Sequence, residues 1–240
     1  MWKGKPSFKL HNIALSFDYE LYKAKKITIT DIKNTRKAIA YAAEALKYTY
    51  EQFTNDPKLV KCCIQNIYKS SDSDIEIKLS KVKEILETMV TEIQDEKLTF
   101  VLRPDLPGIA TTPLNMHREN NRENRAQYIN LNRLFFMGES IFFKQIKVKA
   151  GTMELPPNYL TIIHELHHHF YNSYYSDLDL SQDMGDYYTE RYTKIEVLQP
   201  RSDNIVTYSK DKLSELPFNE FIKHTDSFAA FIYCVFSKRK

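Results

Sequence analysis

Glycine is scarce in this sequence, with 5 residues in 240, and tryptophan occurs only once, whereas tyrosine and phenylalanine number 16 and 14. A low glycine content leaves few positions where the backbone has unusual conformational freedom. The many aromatic rings supply large side chains for an apolar interior. We therefore expect a rigid fold with an aromatic-rich core.

Long apolar runs are also missing. No stretch approaches the roughly eighteen consecutive apolar residues of a membrane helix, and the segment from Met1 to Pro6 lacks the apolar core of a secretory signal. We expect a protein without a membrane span, either cytoplasmic or exported by a specialised secretion system, unless a signal has already been removed. Charge is nearly balanced, with 34 basic and 31 acidic residues. The basic residues are scattered, apart from Lys238 to Lys240, which argues against nucleic-acid binding.

Cysteine is too sparse for a disulfide framework. Cys62 and Cys63 are adjacent and cannot readily pair with each other, and among three cysteines one thiol must be left over. The absence of a C-x-x-C partner also argues against zinc ligation by cysteine. The pattern predicts three core thiols in a reducing compartment.

The expected organisation is an extended N-terminal segment over residues 1–30 and one domain over residues 31–240, since a chain of this size can bury a single sizeable core. Within the first segment, apolar residues nearly alternate and residues 27–30 are all β-branched. Three amphipathic helices are predicted next, starting near Asp31, Asp56 and Ile75, the first capped by Thr30 or Asp31.

Two strands are predicted after these helices, at residues 98–102 and 126–131, separated by a long loop over residues 106–125. The second strand is the candidate for an edge strand that pairs with an extended substrate. Further helices are predicted over a stripe from Tyr188 to Leu198 that ends before Pro200, over residues 210–216 and over residues 218–235.

Histidine is concentrated in one place, because four of the seven histidines fall within residues 164–169. His164, Glu165 and His168 form the pattern H-E-x-x-H. On a helix, residues four apart lie on one face, so the two imidazoles can bind one metal ion. Glu165 then faces the open side of the metal, where its carboxylate can take a proton from a zinc-bound water. The motif predicts a zinc centre that performs hydrolysis.

The neighbouring residues favour a helix at this motif. Pro156 and Pro157 are typical of a helix start. An apolar stripe at helical spacing anchors one face in the core and consists of Tyr159, Ile163, Leu166 and Phe170. His167 and His169 are expected outside the coordination shell, with His167 packing against or hydrogen-bonding a neighbour. A histidine-rich helix that binds metal only incidentally is the alternative.

Residues 161–165, Thr-Ile-Ile-His-Glu, resemble the G-T-[IL]-I-H-E motif of the aspzincin metallopeptidases, the family of deuterolysin and of peptidyl-Lys metalloendopeptidase. The chain departs from the motif at Leu160, where glycine is usual. An alanine-rich first helix over residues 38–45 is similar in position, and the loose likeness spans roughly residues 31–236. The resemblance implies an α+β, mainly helical, zincin-like fold with a small sheet beside the H-E-x-x-H helix, and Zn²⁺ as the cofactor.

A second segment, from Thr225 to Phe231, resembles the N-A-D-S-Y-x-Y-F segment of the same family. Within it, Asp226 is expected either to hydrogen-bond the free N–H of a ligating histidine or to cap the last helix. Both interpretations stay open.

The resemblance further implies an aspartate as the third zinc ligand, in G-T-x-D-x-x-Y-G, with a tyrosine that helps to polarise the scissile carbonyl. The chain lacks this motif. Asp186 follows Gly185 and precedes tyrosines, which makes Asp186 the preferred ligand and Tyr188 the candidate tyrosine. Asp203, with Tyr208, is the alternative third ligand. Other carboxylates that stay open are Glu190 and Glu196.

The expected function is that of a zinc-dependent endopeptidase acting on a protein or peptide, in which Glu165 is the general base and later protonates the leaving amine. A toxin or effector protease is one form of this expectation. The alternative is a catalytically degenerate zincin-fold protein that binds a protein partner and holds zinc structurally.

Overall fold

The computed structural model describes residues 14–68, 75–93, 98–112, 128–148, 151–171, 194–198, 205–209 and 225–239. Within these ranges the protein is α+β and mainly helical, with a small mixed sheet, which confirms the predicted fold class at this level. None of the described helices combines the length and apolar character needed to cross a membrane.

The N-terminal half is built from four helices: α1 at Tyr19–Lys23, α2 at Ile29–Asn55, α3 at Pro57–Tyr68 and α4 at Ile75–Glu92. The three longer helices were predicted from their apolar periodicity. Proline stands at the first position of α3, where its fixed φ suits a helix start and its missing N–H is not needed. The side chain of Asp56 accepts a hydrogen bond from the backbone N–H of Leu59 at 3.0 Å, which supports the same turn.

The prediction of an extended segment up to residue 30 is wrong at α1 and at the start of α2. Thr28 is the N-cap, and its hydroxyl oxygen accepts a hydrogen bond from the backbone N–H of Asp31 at 3.2 Å. The Asp31 carboxylate accepts in return from the backbone N–H of Thr28 at 2.8 Å. This reciprocal capping box outweighs the β propensity of Ile29, so the helix begins two residues before Asp31.

The main sheet has four strands: β1 at Ala14–Phe17, β2 at Thr99–Arg103, β3 at Ala110–Thr111 and β4 at Tyr128–Asn132. Their order is β1-β2-β4-β3, with β1, β2 and β4 parallel and β3 antiparallel to β4. The paired residues Phe100 and Ile129 are both buried. The prediction that the strand near residue 128 lies at the sheet edge is therefore wrong, because β4 is paired on both sides. The edge beside it is β3, which lies inside the predicted loop.

The remaining elements are a 3-10 turn at Phe135–Met137, β5 at Lys144–Val148, β6 at Gly151–Leu155, α5 at Asn158–Tyr171, β7 at Lys194–Leu198, β8 at Ile205–Ser209 and α6 at Thr225–Phe236. Two antiparallel hairpins pair β5 with β6 and β7 with β8. The helix predicted up to residue 198 is wrong over β7. Ile195 and Val197 alternate with polar residues there, and the period of two is that of a strand.

The core forms where α2, α5 and α6 pack against one another, with α3 against α6 and α4 against α2. Phe228 and Phe231 of α6 are fully buried. The ring of Phe231 meets that of Phe53 edge-on, with centroids 6.4 Å apart. Truncating a buried phenylalanine typically costs about 3–5 kcal/mol, so α6 is a principal source of stability for the helices around it.

A disulfide joins Cys63 of α3 to Cys234 of α6, with 5.9 Å between their Cα atoms and 171 residues between them in sequence. The expectation of three reduced core thiols is therefore wrong. Adjacent residues on a helix point in different directions, so Cys63 faces the core and α6 while Cys62 is exposed and free. Only the packing of α6 against α3 brings the two sulfur atoms together.

Candidate functional site

The helix that carries H-E-x-x-H begins at a tight junction with the preceding turn. The backbone N–H of Asn158 donates to the carbonyl of Glu139 at 2.7 Å. Gly138 lies so close to the Asn158 side chain that a Cβ atom at position 138 would collide with its amide oxygen. The first turn follows Pro157, whose carbonyl accepts from the N–H of Leu160 at 2.9 Å. The predicted proline-marked start is thus confirmed to within one residue.

The helix is buried more deeply than an amphipathic surface helix. Ile162, Ile163 and Leu166 are fully enclosed, as the apolar stripe predicted in part. Burial raises the pKa of the Tyr159 hydroxyl well above its ordinary value, and the nearby Tyr233 adds to the rise. The residues of the motif share this environment: His164 is 7%, Glu165 4% and His168 6% exposed. Most of the water around the three polar side chains is excluded by the fold.

The imidazoles of His164 and His168 converge. Their Nε2 atoms lie 3.0 Å apart, and the rings are nearly perpendicular, with centroids separated by 4.6 Å. Two nitrogen ligands at the usual zinc distance in a tetrahedral site are about 3.3 Å apart. The observed separation is within a few tenths of an ångström of that value. The same separation also suits a hydrogen bond between a protonated and an unprotonated nitrogen.

Glu165 is fixed from the sheet side. The hydroxyl of Thr112, one residue beyond β3, lies 2.7 Å from the carboxylate Oε2 of Glu165 and 3.1 Å from its backbone carbonyl. A hydroxyl is both donor and acceptor, and an ionised carboxylate only accepts, so Thr112 donates to the carboxylate. This contact joins two elements that are 53 residues apart in sequence. It places the proposed general base beside the edge of the sheet.

A second threonine contacts the Nδ1 atoms of two histidines, His167 and His168. The hydroxyl oxygen of Thr225, the first residue of α6, lies 3.3 Å from Nδ1 of His168 and 3.2 Å from Nδ1 of His167. The His167 ring stacks on Phe228, with centroids 4.7 Å apart and planes inclined by 29°. His167 is completely buried, which confirms the prediction that it packs against and hydrogen-bonds neighbours. His169 is partly exposed.

Neither threonine was singled out from the sequence. Thr112 belongs to a stretch that was interpreted only as a loop, and no local pattern relates it to Glu165. Thr225 begins the segment that resembles the aspzincin motif, but the motif points to Asp226 and not to the threonine. The side chain of Asp226 is not among those that the structure describes.

The side chains predicted as the third metal ligand are not among those that the structure describes. Within the ranges given above, no group of three histidine, cysteine, aspartate or glutamate side chains is placed to hold a metal ion. Asp186, Asp203 and Tyr188 all lie in segments that are not described, as does Glu190. Glu196 lies on β7, where only the backbone is described. The described donors that converge are therefore the imidazoles of His164 and His168, and the carboxylate of Glu165 follows the first of them in sequence.

Comparison with known proteins gives no match for this chain, whether with protein-family models, curated proteins or solved structures.

Proposed function

We propose that this protein is a zinc-dependent endopeptidase of the aspzincin type. The observation that carries the proposal is the convergence of the His164 and His168 Nε2 atoms to 3.0 Å in a buried position, with Glu165 next in sequence. Two neutral imidazoles on one helix face are the donors that zinc prefers, and a carboxylate beside them suits proton transfer. His164 and His168 would hold the ion, together with Asp186 or Asp203.

Zinc in such a site supplies Lewis acidity, which lowers the pKa of water towards neutrality and polarises a carbonyl group. Glu165 takes a proton from the attacking water as the water oxygen bonds to the peptide carbon. The same carboxylic acid then gives that proton to the amide nitrogen as the C–N bond breaks. The low exposure of Glu165 keeps bulk water from competing for the proton. A tyrosine, with Tyr188 as the candidate, would donate a hydrogen bond to the developing oxyanion.

The substrate is proposed to be an extended polypeptide. Among the described strands, β3 ends the sheet order and pairs only with β4. Its outer backbone groups can pair with an added strand, which is a common mode of peptide recognition. Because Thr112 follows β3 and touches Glu165, a peptide on this edge would pass close to the carboxylate.

The proposal also places the protein in an oxidising compartment, because disulfides persist there and are rare in the reducing cytoplasm. The Cys63–Cys234 disulfide is the supporting observation. Of the two locations expected from the sequence, it favours the exported one. A secreted toxin or effector protease fits this setting.

The test compares wild-type protein with the Glu165→Gln variant, and uses Glu84→Gln, on the exposed side of α4, as a matched control. Zinc content is measured by elemental analysis, and hydrolysis is measured with unfolded casein. We expect both variants to keep the metal. Glu165→Gln should lose at least about a hundredfold in activity, the usual contribution of a general base. Undiminished hydrolysis by Glu165→Gln would contradict the role of Glu165.

The third ligand is tested by zinc retention in Asp186→Ala and Asp203→Ala. The variant that binds zinc normally is excluded as the ligand. Identifying the new N-termini that appear when a cell extract is incubated with the wild type, but not with Glu165→Gln, would define the cleavage preference. If the wild type held zinc and yielded no new N-termini, the catalytically degenerate zinc-binding alternative would replace the proposal.

A further inference from the structure

The hydroxyl of Thr225 lies between two histidines, at the outer nitrogen of each. It is 3.3 Å from Nδ1 of His168 and 3.2 Å from Nδ1 of His167, and Thr225 is only 2% exposed. His168 is therefore contacted at both ring nitrogens, since its Nε2 points towards Nε2 of His164. The hydrogen bond at the outer nitrogen, Nδ1, determines whether the inner nitrogen, Nε2, carries a proton or a free lone pair.

A neutral imidazole carries one proton. If Nε2 of His168 is to offer a lone pair to a metal ion, the proton must reside on Nδ1. The oxygen of Thr225 can accept a hydrogen bond from that Nδ1–H. The threonine then still has its own proton, which can be donated to Nδ1 of His167. A single chain of hydrogen bonds can therefore run from Nδ1 of His168 through Thr225 to Nδ1 of His167.

The position of the hydroxyl is set by the tertiary structure. His167 is fully buried and stacked on Phe228, which lies one turn along α6 from Thr225. Near its other end, α6 is tied to α3 by the disulfide at Cys234. Because α6 is anchored along its length, Thr225 presents its oxygen to the histidines with little freedom to move.

We propose that Thr225 is a positioning residue for the metal centre, which fixes the tautomer and ring orientation of His168 and is itself oriented by His167. The inference rests on the proposed zinc site and adds to it a side chain that does not touch the metal. Such outer partners of ligating histidines typically change metal affinity by about 10–100-fold. Threonine is a neutral partner in a place where carboxylates and carbonyls are more usual.

The test measures the zinc dissociation constant by competition with a chromophoric chelator. Thr225→Val removes the hydroxyl and keeps the shape, and Thr225→Ser keeps the hydroxyl. We expect Thr225→Val to bind zinc about 10–100-fold more weakly than the wild type does. Thr225→Ser should bind zinc within about threefold of the wild type. Thr161→Val is the matched control, because Thr161 is a buried threonine of α5 whose hydroxyl has no partner among the described residues. That variant should bind zinc as the wild type does.

A second readout does not need the metal. Long-range ¹H–¹⁵N spectra of the zinc-free protein report which ring nitrogen carries the proton. We expect the Nδ1–H form of His168 in the wild type and in Thr225→Ser, and a mixture of tautomers in Thr225→Val. Circular dichroism verifies that each variant is folded.

The outcomes separate this inference from the proposed function. If the wild type binds zinc and Thr225→Val binds it equally well, the role of Thr225 is overturned while the zinc site stands. If the wild type takes up no zinc, the proposed function fails, and the tautomer of His168 still decides what Thr225 does. A His168 that carries its proton on Nε2 in the wild type would overturn the inference in either case.

Discussion

The hydroxyl of Thr112 lies 2.7 Å from the Oε2 atom of Glu165, so a residue next to the sheet edge holds the carboxylate that we propose as the general base. A hydrogen bond to a charged group contributes about 1.5–3 kcal/mol. Part of this free energy keeps the carboxylate in one orientation. The sheet and α5 are thereby joined at the position where we propose that proton transfer takes place.

The first prediction concerns this hydrogen bond. Thr112→Val should lower kcat by about tenfold or more with little change in KM, because the carboxylate loses its orientation while the proposed peptide-binding edge at β3 is kept. Thr112→Ser should retain most of the activity, because its hydroxyl can make the same bond. Hydrolysis of unfolded casein measures both variants.

The control for Thr112 is Thr152→Val, an exposed threonine on β6. It makes the same chemical change on another strand and should leave kcat unchanged. If Thr112→Val lost thermal stability and kept its kcat, the contact would be structural, with no part in catalysis.

The second prediction concerns the disulfide. Reduction of Cys63–Cys234 changes no residue of the sequence and removes a link between residues separated by 171 positions. Opening so long a loop should lower the free energy of unfolding by about 2–5 kcal/mol. Urea unfolding with and without a phosphine reductant measures the difference.

Cys62→Ser provides the control, because Cys62 is exposed and lies outside the disulfide. This variant should unfold like the wild type under oxidising conditions and lose the same stability on reduction. Counting thiols in the unfolded, unreduced protein gives a direct check. One reactive thiol is expected, and three would mean that the disulfide is absent.

Local patterns predicted the long helices well. The apolar periodicity of α2, α3 and α4 and the proline at the start of α3 are properties of neighbouring residues, so they can be recognised without the fold. The start of α2 was missed by two residues because Thr28 and Asp31 form a capping box within a β-branched run. Before Lys194–Leu198, the spacing of Tyr188 and Tyr192 fits a helix, and the predicted helix extends this spacing to residue 198. The short alternation of polar and apolar residues within Lys194–Leu198 is the pattern of the strand found there.

Contacts between residues far apart in the chain could not be predicted from the sequence. The H-E-x-x-H pattern indicated His164, Glu165 and His168 because a helix fixes their spacing. The partners of those residues, Thr112 and Thr225, are threonines 53 and 57 positions away from the residues they contact. Pairing of Cys63 with Cys234 likewise depends on how α6 packs. Such contacts follow from tertiary packing, which a single sequence does not display as a pattern.

The third prediction concerns alkaline pH. Burial holds the pKa of Tyr159 far above its ordinary value of 10.0, so the folded protein keeps this hydroxyl protonated while the unfolded chain ionises it. The stabilisation is complete below the unfolded pKa and is lost as the pH rises above it. Relative to Tyr159→Phe, the wild type should lose about 1.4 kcal/mol of unfolding free energy between about pH 9 and about pH 11.

Denaturant unfolding of both proteins across this range measures the effect of Tyr159. All other tyrosines are present in both proteins, so their contributions to the pH dependence of the unfolding free energy cancel in the difference. The difference should be constant from about pH 7 to about pH 9, where tyrosine is protonated in both states. A difference that stays constant up to pH 11 would show that Tyr159 ionises as readily in the folded protein as in the unfolded chain.

The fourth prediction concerns an ion pair between helix α2 and the residues that follow α6. Arg239 donates from Nη1 to Oε1 of Glu44, whose side chain is 4% exposed, while that of Arg239 is 26% exposed. The guanidinium also lies over the rings of Tyr48 and Phe236, at 5.5 and 5.8 Å from their centroids. The carboxylate is thus the more deeply buried of the two charges, and its Oε2 meets no hydrogen-bond partner in the described part of the chain.

This asymmetry determines the response to substitution. Arg239→Met leaves a buried carboxylate without its cation and should lower the free energy of unfolding by about 2–4 kcal/mol, somewhat below the usual range because Arg239 is partly exposed. Glu44→Leu should lower the free energy of unfolding by less, because the partly exposed guanidinium of Arg239 stays hydrated and keeps its contacts with the two rings. The double variant should be more stable than Arg239→Met alone, since no charge is left unpaired. Urea unfolding of the four proteins completes a double-mutant cycle, and strictly additive losses would show that the two charges do not interact.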